Sequence, residues 1–238
     1  MIKEEIVHSE KISQEAEFIW GQATKAGQLR VDRRSQILTS LVELNTTKQT
    51  LELGCGTGEY TLRLAKTGAK IIALDISLTL IRQAKHKINS VNFIIADAQN
   101  LPFKDNTFDV VVGNAVLHHL NLDNVLTEIK RVLISGGKIA FTEPNMINPQ
   151  NLIVKNIKSI KKLVGESPHE RAFFRWQISK NLINKGFSDV IVKPFDFLHP
   201  VTPTILVPLV NMVGKILEKI PIIKEISGSL MIKGVKYE

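Results

Sequence analysis

The sequence is poor in cysteine and in aromatic side chains. Among its 238 residues there is one cysteine, Cys55, and phenylalanine, tyrosine and tryptophan together make up 6%. A single cysteine excludes an intramolecular disulfide and is consistent with a reducing compartment. Scarce aromatics, with no basic stretch interleaved among them, argue against base stacking on a nucleic acid. The Cys/His spacing of a metal site is also missing, so we expect no metal.

Long apolar runs are missing too. The first residues are charged, and no apolar run long enough for a membrane helix follows them. We therefore expect a cytoplasmic protein without a secretory leader, peripheral to the membrane at most. The net charge is +8, which favours anionic partners.

Glycines are concentrated at one point of the chain. An apolar run that ends at Leu53 is followed by Gly54, Gly56 and Gly58, and a helical pattern begins at Glu59. Glycine lets a strand-to-helix turn bend sharply and come close to a ligand. The N–H groups at the start of the helix then point at that ligand. This turn predicts a site for a small molecule.

Acidic residues mark the ends of the neighbouring strands. Glu52 precedes the turn, Asp75 ends the next apolar run and Asp97 ends the third. An aspartate in such a position can accept hydrogen bonds from both hydroxyls of a ribose. The alternative is a helix cap, a role that Ser77 would fill for the second helix. Because ligands collect at the carboxyl ends of parallel strands, we expect these acids to face one site.

Together these features resemble the class I S-adenosylmethionine-dependent methyltransferases, in particular their type 11 small-molecule branch. The resemblance covers residues 50–145, about two fifths of the chain. The matching segments are residues 52–58, Asp75, Asp97 with Ala98, residues 101–103, 108–109, 117–119, 131–133 and 136–137.

The resemblance implies S-adenosylmethionine as cofactor and gives these residues roles. Glu52 and the glycine loop hold the methionine part, Asp75 takes the ribose hydroxyls, and Asp97 with the Ala98 amide reads the adenine edge. The cofactor-binding residues that we expect are Glu52, Gly54, Cys55, Gly56, Gly58, Asp75, Ile76, Asp97, Ala98 and Asn114.

The alternation of strands and helices from residue 50 onward predicts an α/β fold with a doubly wound, mostly parallel sheet. The resemblance implies a Rossmann-like sheet of seven strands, the last of them antiparallel. The predicted helices cover residues 10–26, 31–44, 59–67, 77–88, 122–133 and 168–185, and the last three strands cover 138–142, 190–193 and 229–235.

We expect one domain over residues 1–238. It comprises an N-terminal helical cover (1–45), a cofactor-binding core (46–145) and an acceptor-side half (146–238). The candidates for contacts between the cover and the cofactor are Phe18, Trp20, Arg30, Arg33 and Arg34.

Two histidines and a glutamate are candidates for catalysis. Methyl transfer from a sulfonium depends mainly on alignment and on exclusion of water, and an oxygen or carbon acceptor usually also needs a base. His118 and His119 follow the fourth strand, on the side where the family binds its acceptor, and Glu143 ends the fifth. Either histidine could be the base, and Glu143 could orient one of them or act itself. Purely structural roles at a helix start or cap remain the alternative.

Two segments lie outside the minimal scaffold. Residues 151–164 predict a basic amphipathic helix, with Lys155, Lys158, Lys161 and Lys162 opposite the apolar face. That pattern is typical of an anionic-membrane contact or of a helix with solvated lysines. Residues 200–227 are apolar and predict a helix over 204–219. It would be buried in a lid over the acceptor, a lipid surface or a homodimer interface.

We therefore expect S-adenosylmethionine-dependent methyl transfer to oxygen or carbon of a small hydrophobic or lipid-linked acceptor. Candidates are a quinone or isoprenoid intermediate, a glycolipid sugar and a secondary metabolite. One alternative is an NAD(P)-dependent oxidoreductase, although its fingerprint is G-x-G-x-x-G rather than the G-x-G-x-G spacing found here. The other is a non-catalytic cofactor-binding partner protein.

Overall fold

The computed structural model describes residues 2–163 and 170–237. Within these residues seven strands form one sheet of order 3-2-1-4-5-7-6. The strands are β1 (Gln49–Leu53), β2 (Lys70–Asp75), β3 (Asn92–Ile95), β4 (Phe108–Asn114), β5 (Leu133–Pro144), β6 (Phe187–Phe195) and β7 (Ser229–Lys236). All neighbours pair in parallel except β7, which is antiparallel to both β5 and β6. The predicted fold class is confirmed.

Helices flank the sheet. In the described part of the chain they are α1 (Ile2–Ile12), α2 (Ala16–Ile19), α3 (Lys25–Val42), α4 (Glu59–Ala65), α5 (Leu78–Lys87), α6 (Leu122–Val132), α7 (Pro149–Asn156), α8 (Lys158–Leu163), α9 (Arg175–Asn184) and α10 (Val207–Leu217). A search of these helices finds none with the length and apolarity that crossing a bilayer requires.

The strands carry apolar side chains on both faces because helices cover the sheet on both sides. One core cluster includes Leu51, Phe108 and Phe141, all fully buried, with the inner face of α6. The second lies under α3, α4 and α5 and includes Leu38, Leu64 and Val112. The sheet is therefore a rigid base for the loops at its carboxyl edge.

The N-terminal helices break at different points from those predicted. Instead of helices over 10–26 and 31–44, the chain forms α1, the short α2, and then α3 from Lys25. Gly21 has φ +68°, which turns the chain out of α2. Thr24 then caps α3 by accepting a hydrogen bond from the Gly27 amide.

The basic segment is also not one helix. Ile157 is extended between α7 and α8, so the single helix predicted over 151–164 is wrong, and Val164 lies outside the described residues. Lys155 and Lys161 point inward rather than to solvent: Lys155 Nζ lies 2.9 Å from Glu170 Oε2, and Lys161 Nζ donates to the Glu170 carbonyl. The outer side of α7 instead exposes Leu152 and Ile153. The predicted separation of a solvated lysine face from a buried apolar face is therefore wrong for α7.

The helix predicted over 168–185 begins later. Its first two residues lie outside the described part, and α9 starts only at Arg175. Phe173 is extended and bonds β5 instead, donating its N–H to the Pro144 carbonyl and accepting from Met146. The apolar insertion contains a short 3₁₀ turn at Thr204–Leu206 and then α10, close to the predicted helix.

We predict that Phe141→Ala will destabilise the protein by about 3–5 kcal/mol, because it leaves a cavity between β4 and β7 in the fully buried core. Urea unfolding followed by circular dichroism measures this change. The exposed Ile183→Ala in α9 is the control and should change stability by less than about 0.5 kcal/mol. Similar losses in the two variants would contradict the assignment of the core.

Candidate functional site

Parallel pairing brings the turn and the acids to one edge. Leu53 pairs with Leu74 on one side and with Gly113 on the other. The next residues, Gly54, Asp75 and Asn114, therefore leave three adjacent strands side by side. All three line one large cavity of about 740 Å³.

The glycine loop has the backbone conformation that glycine favours. Gly54, Gly56 and Gly58 have φ of +66°, +52° and +85°. A Cβ on Gly54 would lie 2.6 Å from Val116 and one on Gly56 would lie 3.0 Å from the Trp20 ring. Gly54 and Gly56 line the cavity, while Gly58 packs on Ala84 of α5. The loop thus presents bare backbone to a ligand.

Asp75 binds the loop and still faces the cavity. Its Oδ2 accepts from the Gly56 amide and its Oδ1 from the Ser77 amide, each at 2.9 Å. Burial raises the pKa of Asp75, while these N–H groups act in the opposite direction. Ser77 caps α5, so the cap role predicted for it is confirmed. Each Asp75 oxygen keeps a lone pair for a further donor.

Most of the other residues of the expected cofactor set face the cavity. Ile76, Asp97, Ala98, Cys55 and Asn114 line the cavity. Burial raises the pKa of the Cys55 thiol, so it serves as a small apolar lining group.

Glu52 is placed differently from this group. It is buried behind the loop and is not among the cavity-lining residues, and burial raises its pKa to about 7. One of its oxygens has no hydrogen-bond partner in the described residues.

The N-terminal helices cover this cavity. Phe18, Trp20, Arg30 and Arg34 line it, whereas Arg33 points away and pairs with Glu218. The Trp20 ring lies over Gly56 and is partly exposed rather than part of the core.

A buried carboxylate holds the first histidine. Glu143 Oε1 accepts from the Val116 and Leu117 amides at 3.0 and 2.8 Å, and Oε2 lies 2.7 Å from His118 Nδ1. Burial raises the pKa of Glu143 to about 7, against the lowering effect of the Leu117 and Val116 amides. His118 and His119 both line the cavity, while Glu143 lies behind His118. The structure therefore links Glu143 to His118 rather than to His119.

Glu170 faces both histidines from the acceptor-side half. Its oxygens lie 3.9 Å from His118 Nε2 and 3.9 Å from His119 Nδ1, and Lys155 pairs with it at 2.9 Å. Although burial would raise the pKa of Glu170, His119, His118 and Lys155 lower it to about 2. His118, His119 and Glu170 each offer one ligand atom, and these three atoms lie within 4.8 Å of one another, a spacing that would suit a cation. The Lys155 ammonium already supplies positive charge there.

A second polar cluster lies at the end of β6. Asp196 Oδ2 accepts from Arg30 Nε at 2.9 Å and from Arg34 Nη2 at 2.8 Å. Arg34 also donates to Ser229 Oγ and to Asn114. Burial would raise the pKa of Asp196, but the two arginines lower it to about 2.

Sequence reasoning did not identify Glu170, Lys155 and Asp196 as site residues. Asp196 leaves one usable signal, because it is a lone acid between Phe195 and Phe197 at the end of a strand. Glu170 has no comparable signal, since the two histidines that it faces lie on a distant part of the chain, after β4.

Comparison with known proteins identifies the family. A family described as "Methyltransferase domain" matches residues 51–141. The demethylmenaquinone methyltransferase of Bacillus cereus is 30% identical over 182 residues, which cover 66% of this chain and 77% of that protein. The enzyme of the same name from Corynebacterium urealyticum is 34% identical over 131 residues, covering 52% of this chain and 56% of that one. The chain spans only about half the length of the first curated relatives that it matches, 44–56%.

Solved structures agree on the fold. A SAM-dependent methyltransferase from Thermotoga maritima superposes with a TM-score of 0.69 at 19% identity, covering 97% of this chain and 99% of that one. The glycine loop, the acids at adjacent strand ends and these relatives lead to one conclusion. The chain belongs to the S-adenosylmethionine-dependent methyltransferase family.

Proposed function

We propose that this chain transfers the methyl group of S-adenosylmethionine to an oxygen or carbon atom of a small, partly apolar or lipid-linked acceptor. The observation that carries the proposal is that the glycine loop, Asp75, Asp97 and a histidine held by Glu143 all belong to one cavity and its immediate support. Relatives named for demethylmenaquinone and for malonyl-[acyl-carrier protein] support a small or carrier-linked acceptor without selecting one of the candidates.

The residues present fit the cofactor. Gly54 and Gly56 line the cavity with backbone that Val116 and Trp20 pack against too closely for a Cβ, and Asp75 keeps acceptor capacity for two ribose hydroxyls. Asp97 and the Ala98 amide lie in the same cavity, where they would bind the adenine edge. When bound, the cofactor supplies an electrophilic methyl group on a sulfonium.

His118 is the better candidate for the base. Both Glu143 oxygens serve as acceptors, because Oε1 faces two backbone N–H groups and Oε2 faces the imidazole. We infer that His118 donates from Nδ1 to this carboxylate, which makes Nε2 the nitrogen that would take the acceptor's proton. Glu143 orients His118 and compensates the charge that forms on it. Lys155 and Glu170 border the same space and would position the acceptor.

Side chains from the N-terminal helices and from the segment before α10 would exclude water from the site during methyl transfer. Trp20 lies over Gly56, and Pro200 and Val201, which precede α10 and follow on from Gly21 in space, also line the cavity. Alignment in a dry cavity supplies most of the expected acceleration in such a displacement.

The outer face of α10 is proposed to rest on an anionic membrane. It exposes Leu209, Met212 and Ile216, and the exposed Lys215 and Lys219 lie beside them. Apolar side chains next to lysines suit the boundary between acyl chains and anionic headgroups. A lipid-linked acceptor would then enter beside Val201. The alternative to membrane contact is a homodimer that forms through this face of α10, and the vesicle experiment described below distinguishes the two.

The cofactor assignment predicts that Asp75→Ala will weaken S-adenosylhomocysteine binding about 10- to 100-fold, because hydrogen bonds to a charged group are lost. Isothermal titration calorimetry measures this affinity. The control is Asp109→Ala, which removes an acid bonded to the Gln49 amide outside the cavity. Tighter binding of NADH than of S-adenosylhomocysteine would contradict the assignment.

The base assignment predicts that His118→Asn will lower turnover by about 10²–10⁴-fold, while affinity for S-adenosylhomocysteine stays the same. Turnover is measured as transfer of labelled methyl groups into quinone, lipid and sugar extracts. His119→Asn is the matched control and should lose less than about tenfold. A larger loss in His119→Asn would assign the base to His119. Cofactor binding without turnover on any extract would favour a non-catalytic binding protein.

The membrane proposal predicts that the protein will co-sediment with phosphatidylglycerol vesicles at low salt and dissociate at high salt, because salt screens surface charge. Ile216→Glu should weaken this binding about tenfold. The exposed Ile183→Glu on α9 is the control and should have little effect. Light scattering that shows a dimer in the absence of lipid, dispersed by Ile216→Glu, would point to self-association instead.

A further inference from the structure

The Arg30 guanidinium is hydrogen-bonded to protein through only one of its three nitrogen atoms in the described residues. Its Nε donates to Asp196 Oδ2 at 2.9 Å, and its two terminal nitrogens donate to no group in the described residues. The side chain is only 19% exposed and lines the cavity. Four N–H bonds of a largely buried cation are therefore available to a ligand.

The carboxylates near Arg30 do not fully neutralise the positive charge of the arginines around it. Arg30, Arg33 and Arg34 face two carboxylates, Asp196 and Glu218, so the cluster keeps an excess of one positive charge. Burial and the proximity of Arg34 lower the pKa of Arg30 despite its bond to Asp196. A buried excess of positive charge is costly unless an anion compensates it.

The cluster is firmly supported. Arg34 is bonded to Asp196, Ser229 and Asn114, and Arg33 does not line the cavity, so Arg30 is the member that presents most of its unused donors to the cavity. Asp196 has φ +76°, a strained conformation for a non-glycine residue, and its amide donates to Glu218. Glu218 in turn binds Arg33, which connects the apolar insertion to this cluster.

The cluster lies where the acceptor side of the cavity meets Tyr60 of α4, the helix that follows the glycine loop. Asp196 follows β6, at the opposite edge of the sheet from β2 and β3, which carry Asp75 and Asp97. His199 also lines the cavity there, with Nε2 2.9 Å from Gln150 Nε2. Leu198 and Val201 give this part of the cavity an apolar wall. An acceptor bound here would combine an apolar body with a charged group.

We propose that Arg30 forms an oxyanion subsite that binds a carboxylate or phosphate group on the methyl acceptor. The guanidinium fork matches both groups through paired N–H donors. The proposal rests on the proposed function, since it defines the acceptor of that same cavity as an anionic amphiphile.

Titration calorimetry with octyl phosphate and with neutral 1-octanol tests the subsite, using protein saturated with S-adenosylhomocysteine. We expect octyl phosphate to bind at least tenfold more tightly than 1-octanol.

The Arg30→Met variant should lose this preference for octyl phosphate, while its affinity for S-adenosylhomocysteine changes less than twofold. Arg30→Lys, which keeps the charge but loses the fork, should retain part of the preference. Arg82→Met removes an exposed arginine and should leave the preference unchanged. Octanoate in place of octyl phosphate distinguishes a carboxylate from a phosphate ligand.

Equal binding of the two octyl probes by the unmodified protein, or an unchanged preference in Arg30→Met, would overturn the subsite. Loss of S-adenosylhomocysteine affinity in Arg30→Met with the octyl phosphate preference intact would also overturn it, because Arg30 would then serve the cofactor carboxylate. If the unmodified protein binds no S-adenosylhomocysteine, the proposed function fails. The octyl phosphate comparison without cofactor still tests the subsite in that case.

Discussion

Parallel strand pairing is the constraint on which the whole site depends. Because Leu53 is in register with both Leu74 and Gly113, the next residues of three strands emerge together at the carboxyl edge of the sheet. Backbone hydrogen bonding between the strands thus brings Gly54 and Asp75 close together. Asp75 then fixes the loop by accepting from the Gly56 amide. A shift in register would separate the loop from the acid that holds it.

Two buried carboxylates organise the other half of the cavity, and they do so in different ways. Glu143 accepts from backbone amides on one oxygen and faces His118 with the other, which holds the imidazole ring in place. Asp196 holds two arginines through a single oxygen and leaves part of their hydrogen-bonding capacity unused. The first arrangement suits removal of a proton and the second suits recognition of an anion. We propose that together they serve an acceptor that has an acidic proton and a charged group.

The parts that the sequence predicts well are those encoded locally. The glycine turn, Asp75 and the alternation of strands and helices are visible because each depends on residues close together in the chain or on simple periodicity, whereas the antiparallel seventh strand follows only from the family resemblance. Glu170 and Asp196 are not visible, since their partners lie on distant elements that only the folded chain brings together. The lysines of α7 show a further limit. Helical spacing separates the two faces of a helix, but it does not reveal which face turns inward, and Glu170 draws Lys155 toward the histidines.

The central claim is that the glycine loop, Asp75 and Asp97 form the binding site for S-adenosylmethionine, with the acceptor between His118 and Arg30. A crystal structure of the protein with S-adenosylhomocysteine tests this claim most directly. We expect both ribose hydroxyls to bond the Asp75 carboxylate, the adenine to lie beside Asp97 and Ala98, and the sulfur to face His118. Density for the ligand elsewhere, or a ribose that makes no contact with Asp75, would contradict it.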